Sequence, residues 1–376
     1  MRVVVGLWSL VLLTALVPAP LRAAGTEAIR VGLLLEQGRI VITSNQVIAV
    51  SSSSGRNGFP PGAYEFVSVG GAIDLPGTDR YEGIVRLSPT GGAYLYVGIR
   101  PYRGIIELRS SSTGRMTVIN ELPLEEYLYG VIRMEMDPQW PSETLKAQAV
   151  AARTLALYSL RRFQSEGYDV RASTDSQVYG GVLAEAPRAT AAVDETRGTV
   201  MTYQGRLIFS AYHSDSGGHT ESSEYVWGGT YPYLRGVPDP FTIDAAGHEW
   251  VNRIELAMLE DRLRRAGKSV SGVNAIESVA FSPSGRVLSV QFLTSRGRVD
   301  VRATELRAVL GAEFLRSTLF SVRVLPGDVP IVEFAGRGSG HGVGMSQWGA
   351  RGQGLQGRNY LEILRYYYAD VTIESR

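Results

Sequence analysis

GVIRMEMDPQWPSETLKAQAVAARTLALYSL, residues 130–160, sets one acidic side chain, Glu135, between Met134 and Met136. A turn follows, Asp137-Pro138-Gln139-Trp140-Pro141, and then an alanine-rich run. Ser142 and Glu143 suit an N-cap and a first turn, where a side-chain oxygen satisfies free N–H groups and the helix dipole favours acid. Leu145, Ala149, Ala152, Ala156 and Ser159 recur at helical spacing. They predict a helix from about Ser142 to about Phe163, stopped by Gly167. Its many alanines allow neighbouring backbone to approach closely. Lys146 and Arg153 lie two helical turns apart and so share a face.

Working outward, the upstream chain reads as strands. Ile29–Leu35 and Ile40–Thr43 flank Gln37-Gly38-Arg39, which predicts a hairpin. Tyr64–Val69, Gly83–Leu87, Ala93–Ile99, Ile105–Leu108 and Met116–Glu121 complete a β-rich region, and Pro123 opens a short helix. Downstream, Pro187 opens a helix over 186–196, and Gln204-Gly205 joins strands at 199–203 and 206–210. Residues 256–266 and 304–310 read as helices, 276–301 as a β-meander, and 360–368 as a closing helix with Asn359 and Glu362 as a capping box. The fold class is therefore α+β, a β-rich scaffold around a central alanine-rich helix. Its parts are a targeting segment at 1–24, a β-rich region at 25–122, and a region at 123–376 that carries the meander at about 270–335.

The chain has 376 residues, 44% hydrophobic and 20% charged, the composition of a globular protein. A net charge of +1, with no basic run interleaved with aromatics, argues against nucleic acid as a partner. No cysteine is present, which excludes disulfides, thiolate nucleophiles and cysteine metal sites. Arg2, the apolar run Val3–Val17, the break at Pro18-Ala19-Pro20 and the small residues Ala23-Ala24-Gly25 form a secretory signal pattern. Export to the cell envelope is expected, as a released protein or, if the segment is retained, an anchored one.

Three stretches carry candidate chemistry. Glu135 between methionines has the setting for a carboxyl group whose pKa rises on desolvation, the property a general acid needs. On spacing alone, a surface glutamate in an ion pair accounts for it at least as well. In 336–349, glycines surround Ser339, His341 and Ser346, so backbone is free to approach a ligand. The stretch has neither the context of a dinucleotide loop nor the serine placement of a hydrolase elbow. His213-Ser214-Asp215-Ser216-Gly217-Gly218-His219 invites a metal but matches no common zinc spacing, and local hydrogen bonding of the loop is the alternative.

Residues 130–157, TDSQVYGG (174–181), YHSDSGGHTESSEYVWGG (212–229) with YPYLRGVPDP (231–240), and GSGHGVGMSQWGARGQG (338–354) together resemble the SpoIID/LytB family, in the family's order. The resemblance spans about residues 29–374. It implies a bacterial peptidoglycan protein, and for members like the sporulation protein a lytic transglycosylase with a glycan-binding cleft beside the central helix. Such an enzyme cleaves the MurNAc–GlcNAc bond and leaves a 1,6-anhydro end. The family's catalytic acid falls on Glu135. Arg153, Gln177, Tyr179, Ser214, Ser216, His341 and Gln347 match motif positions that the resemblance places along the glycan. The partners it implies are glycan strands and a cell-wall amidase, and the alternative role is a non-enzymatic enhancer of such an amidase. Some members bind zinc near the 213 segment through two histidines and two cysteines. Here His213 matches, but His219 stands where a cysteine is needed, and Glu224 and Tyr225 replace the second pair. No metal and no cofactor are expected.

Overall fold

The computed structural model describes residues 27–53, 55–75, 80–242 and 248–376; the targeting segment read at 1–24 lies outside them. Ala28–Gln37 enters a seven-stranded sheet, where it pairs with Met116–Pro123 and Val170–Arg171. Arg39–Ser44 lies instead in a six-stranded sheet, between Leu95–Val97 and Gly62–Val69. The hairpin expected around Gly38 therefore does not form. Each strand buries one face, and a two-sheet core closes only when the chain crosses from one sheet to the other. Val31, Val85 and Ile106 from the first sheet share one apolar core with Ile42, Phe66 and Leu95 from the second.

Among the described residues eight α-helices follow in order: α1 (Leu124–Glu135), α2 (Ser142–Tyr158), α3 (Pro187–Glu195), α4 (Ser223–Trp227), α5 (Leu256–Arg265), α6 (Ala303–Leu310), α7 (Gln347–Leu355) and α8 (Tyr360–Tyr367). The short helix expected after Pro123 runs on to Glu135, because Val131 and Ile132 continue its buried face. Glu135 is its last residue. Pro141, not Ser142, takes the N-cap of α2, with no side-chain cap. The helix ends at Tyr158, and Gly167 (φ 92°) closes a separate 3-10 turn.

Of the 17 residues of α2, 12 are buried, so it has no single packed face. It is the axle of the molecule, in contact with α1, α3, α7, α8 and the strand Thr199–Tyr203. Small side chains make that possible. The same logic explains α7, a helix that the sequence pattern does not announce, since QWGARGQGL is rich in glycine. A Cβ at Gly349 would lie 2.1 Å from the Tyr367 hydroxyl, and one at Gly354 would lie 2.4 Å from Thr144 Oγ1. Close packing against its neighbours, not helix propensity, selects glycine there.

The first core crosses residue 122 without a break, since Ile29, Leu122, Leu124 and Leu145 all belong to it. A second core is built from Trp250, Leu259, Phe292, Leu306 and Phe334. It fills a unit of two three-stranded sheets with α5 and α6 over residues 249–337, which contains the expected meander.

Arg153 is not a groove residue. It has no solvent exposure, and it pairs with Glu125 at the start of α1 through Nε–Oε1 (2.8 Å) and Nη2–Oε2 (2.7 Å). Its remaining donors reach Val193 O (3.1 Å), Thr199 O (3.1 Å) and Thr196 Oγ1 (3.5 Å). Every guanidinium N–H thus has an acceptor. One side chain ties α1, α2, α3 and the strand after α3 together. Arg153→Met leaves the Glu125 carboxylate buried and unpaired, and is expected to cost about 3–5 kcal/mol in urea unfolding. Adding Glu125→Leu should restore part of that loss.

Candidate active site

Glu135 sits at the C-terminal end of α1, where the helix dipole disfavours a negative charge. The turn that follows is rigid: the Gln139 and Trp140 amides donate to Asp137 Oδ1 (2.8 Å) and Asp137 O (3.1 Å). The groups that touch the carboxyl are neutral. Val178 N–H donates to Oε1 (3.2 Å), the Gln347 amide to Oε2 (3.5 Å), and the Tyr212 hydroxyl makes a further hydrogen bond. Burial pushes the Glu135 pKa above the ordinary carboxylate range, and these hydrogen bonds partly oppose the rise.

The basic helix face suggested by Lys146 and Arg153 does not reach this carboxyl. Lys146 Nζ lies 2.8 Å from both Glu143 and Glu195, and Arg153 is held by Glu125. The reason is the breadth of α2 burial: a helix packed on nearly all sides turns its two cations to different partners.

A directed hydrogen-bond chain stands behind the acid. Tyr127 O–H donates to Gln177 Oε1 (3.2 Å), and Gln177 Nε2 donates to Tyr212 Oη (3.0 Å). The Tyr212 oxygen is thereby an acceptor from Gln177, and its own proton is free to point at Glu135. Gln177 Nε2 also reaches Ala152 O (3.3 Å), so the alanine helix anchors the chain. Burial raises the pKa of both Tyr127 and Tyr212, and the negative charge of Glu135 adds to the rise; both stay protonated. Tyr212 is the residue that sequence reasoning missed. Only its place at the head of the 212–229 stretch marked it.

Two chain segments far apart in sequence meet here. Tyr212 and His213 pair in parallel with Met345 and Ser346, which delivers Gln347 beside Glu135. Ser346 caps α7, with its hydroxyl accepting from Gly349 N. Gln347 thus touches the acid directly, and Gln177 reaches it through Tyr212. Tyr179 and Ser216 lie elsewhere. Tyr179 is buried, donates to Asn120 Oδ1 (2.9 Å), and packs against Tyr127 with ring centroids 5.1 Å apart. Gly130 makes room for it: a Cβ there would lie 2.5 Å from the Tyr179 ring. Ser216 is buried and donates to Asp239 Oδ2 (2.7 Å), which also accepts, through Oδ1, from the Tyr367 hydroxyl (3.0 Å). Ser214 accepts the Trp348 N–H on its backbone carbonyl (3.0 Å).

His341 lies one step behind Tyr212. Its Nδ1 accepts from Val343 N (3.1 Å), and burial lowers its pKa to about 4, so it is a neutral imidazole. His213 Nδ1 faces Val343 O (3.1 Å), and its other nitrogen is buried without a partner. His219 turns to Thr220 O (2.6 Å), and His248 to Asp215 (3.0 Å). Among the described residues no group of three or more histidine, aspartate or glutamate side chains is disposed to hold a metal.

The chain matches the family model SpoIID, Stage II sporulation protein, over residues 112–203, the span that holds α1, α2 and the Gln177 loop. A domain of unknown function, DUF8618, matches residues 242–344, close to the unit with its own core. An uncharacterised protein of Brachyspira hyodysenteriae is 35% identical over 78% of this chain and 76% of its own length. The amidase enhancer of Bacillus subtilis is 31% identical over 66% of this chain, which spans only 40% of that protein. Stage II sporulation protein D of Bacillus amyloliquefaciens is 29% identical over 68% of this chain and 76% of its own length. With the SpoIID model matched over the span of Glu135 and Gln177, and an amidase enhancer and a Stage II sporulation protein D among its relatives, the chain belongs to the SpoIID/LytB family.

Proposed function

We propose that this protein is an exported lytic transglycosylase of peptidoglycan, with Glu135 as its general acid and base. The observation that carries the reading is a carboxyl group that is desolvated and, among the described residues, touched by neutral donors only. Desolvation favours the protonated form that starts the reaction. The donors keep the ionised form accessible once the proton has left. A group that first gives and then takes a proton needs that balance.

The reaction uses the same carboxyl twice. Glu135 protonates the glycosidic oxygen as the C1–O bond breaks. The C6 hydroxyl of the same sugar then attacks C1, its proton returns to Glu135, and the 1,6-anhydro ring closes. Water is not the nucleophile, so the second carboxylate of a hydrolytic glycosidase is not required. Tyr212, held by Gln177 and Tyr127, steadies the carboxylate between the two transfers. The signal-like N-terminus agrees with a substrate outside the cytoplasm. The second reading is an enhancer of a cell-wall amidase, favoured by the name of the Bacillus subtilis relative.

Glu135→Gln is expected to lower release of anhydro-ended fragments from purified glycan strands by at least roughly 100-fold while binding persists. Mass spectrometry of the digest decides, and product at the wild-type level would leave the enhancer reading standing. The rate should fall as pH rises through the raised Glu135 pKa, since only the protonated form starts the reaction. Tyr212→Phe removes a bond that favours the ionised form, and should move that alkaline limb to higher pH. A raised carboxyl pKa also means that ionisation at neutral pH opposes folding. Glu135→Gln should therefore raise Tm at pH 7, and the gain should vanish below the unfolded-state pKa, about pH 4. Thermal scans across that range test the sign.

A further inference from the structure

Beside the acid lies a surface that the proton transfers do not use. Trp140 sits on the turn that leaves Glu135, and Trp348 follows Gln347, whose amide touches Glu135. Both indoles are half-buried, their centroids are 5.0 Å apart, and their planes are inclined at 58°. The Arg351 guanidinium lies 5.1 Å from the Trp348 ring centre and 5.9 Å from that of Trp140.

Three features separate this cluster from ordinary core packing. The backbone under each indole is fixed: Trp140 O accepts from Arg188 Nη2 (3.1 Å), and Trp348 N–H donates to Ser214 O (3.0 Å). The backbone that carries the rings is thus placed before any ligand arrives, which removes part of the ordering cost from binding. The Trp250 indole N–H, in the second core, is bonded to Gly338 O (3.0 Å), whereas among the described residues neither Trp140 nor Trp348 bonds a protein acceptor through its indole N–H. The third feature is position, since both rings stand on segments that hold groups of the Glu135 site. Half-buried tryptophans with free N–H groups present an apolar face and a polar edge to the same visitor. A pyranose ring offers the matching pair, a C–H face and equatorial hydroxyl and acetamide oxygens. Arg351 adds donors beside the same face.

We propose that Trp140, Trp348 and Arg351 form a sugar-stacking subsite that holds an N-acetylated pyranose of the glycan strand next to the bond that Glu135 protonates. The subsite rests on the glycan-cleaving reading, and binding measured without turnover separates the two. Glu135→Gln protein is titrated with purified glycan strands by calorimetry, alone and combined with Trp348→Ala, Trp140→Ala or Trp348→Phe. Each alanine change should weaken binding roughly ten-fold, the loss of one stacked ring, and phenylalanine should restore most of it. In the active protein, Trp348→Ala should carry its loss in KM. Alanine variants that keep the parent Tm and bind as tightly as their parent would overturn the subsite. If Trp348→Ala does not fold, Trp348→Phe and Arg351→Ala decide: equal affinity in both overturns the idea, and graded loss supports it. Tryptophan-dependent binding with no anhydro product from the wild type would sink the enzyme reading and leave the subsite in place.

Discussion

A guanidinium shut away from water organises the molecule around α2. Arg153 carries its charge into a place where an uncompensated ion would cost several kcal/mol, and every one of its donors is met. Glu125 supplies the opposite charge from the first turn of α1, and the carbonyls of Val193 and Thr199 supply the rest from α3 and the strand beyond it. Gly198 N–H also donates to Glu125 Oε1 (3.3 Å). Such a set of acceptors is satisfied in one arrangement of the elements and left short in any other. The orientation of α1 is thereby set, and with it the place of Glu135 at the far end of the same helix.

The acid is the opposite kind of buried charge. Among the described residues it meets an amide, a backbone N–H and a hydroxyl, and no cation. One carboxylate is neutralised by a guanidinium; the other is left able to hold a proton. Neutral donors are the means of that difference, because an adjacent guanidinium would pull the pKa down.

Assembly of the site depends on a long loop closure. The parallel pairing of Tyr212–His213 with Met345–Ser346 encloses the whole unit with the second core. Bridges between Asp215 and Ser339 and between Glu221 and Val343 extend the seam. Asp239, whose pKa burial raises, accepts from Ser216 and Tyr367 and steadies the polar loop. The histidines and serines of that loop, which look like chemistry in isolation, mostly satisfy one another and the backbone.

The sequence by itself determined most of the elements and the candidate acid. The alanine run, Pro123, Pro187, the capping box at Asn359 and the alternation at 276–301 are local patterns, and local sterics and capping decide such elements. It did not determine the crossing at Gly38, since strand partners are chosen by which faces must be buried together. Nor did it reveal α7, where glycine is selected by neighbours from Thr144 to Tyr367 that no window of sequence contains. The same holds within the site. Glu135, Gln177, Gln347, Arg153 and Tyr179 all stand in the motifs, but the motifs do not say that Gln347 contacts the carboxyl directly, that Gln177 reaches it through Tyr212, or that Arg153 and Tyr179 bond Glu125 and Asn120 instead. Tertiary structure alone decided that separation and added Tyr212, because a hydrogen-bond chain exists only between side chains that folding brings within about 3 Å.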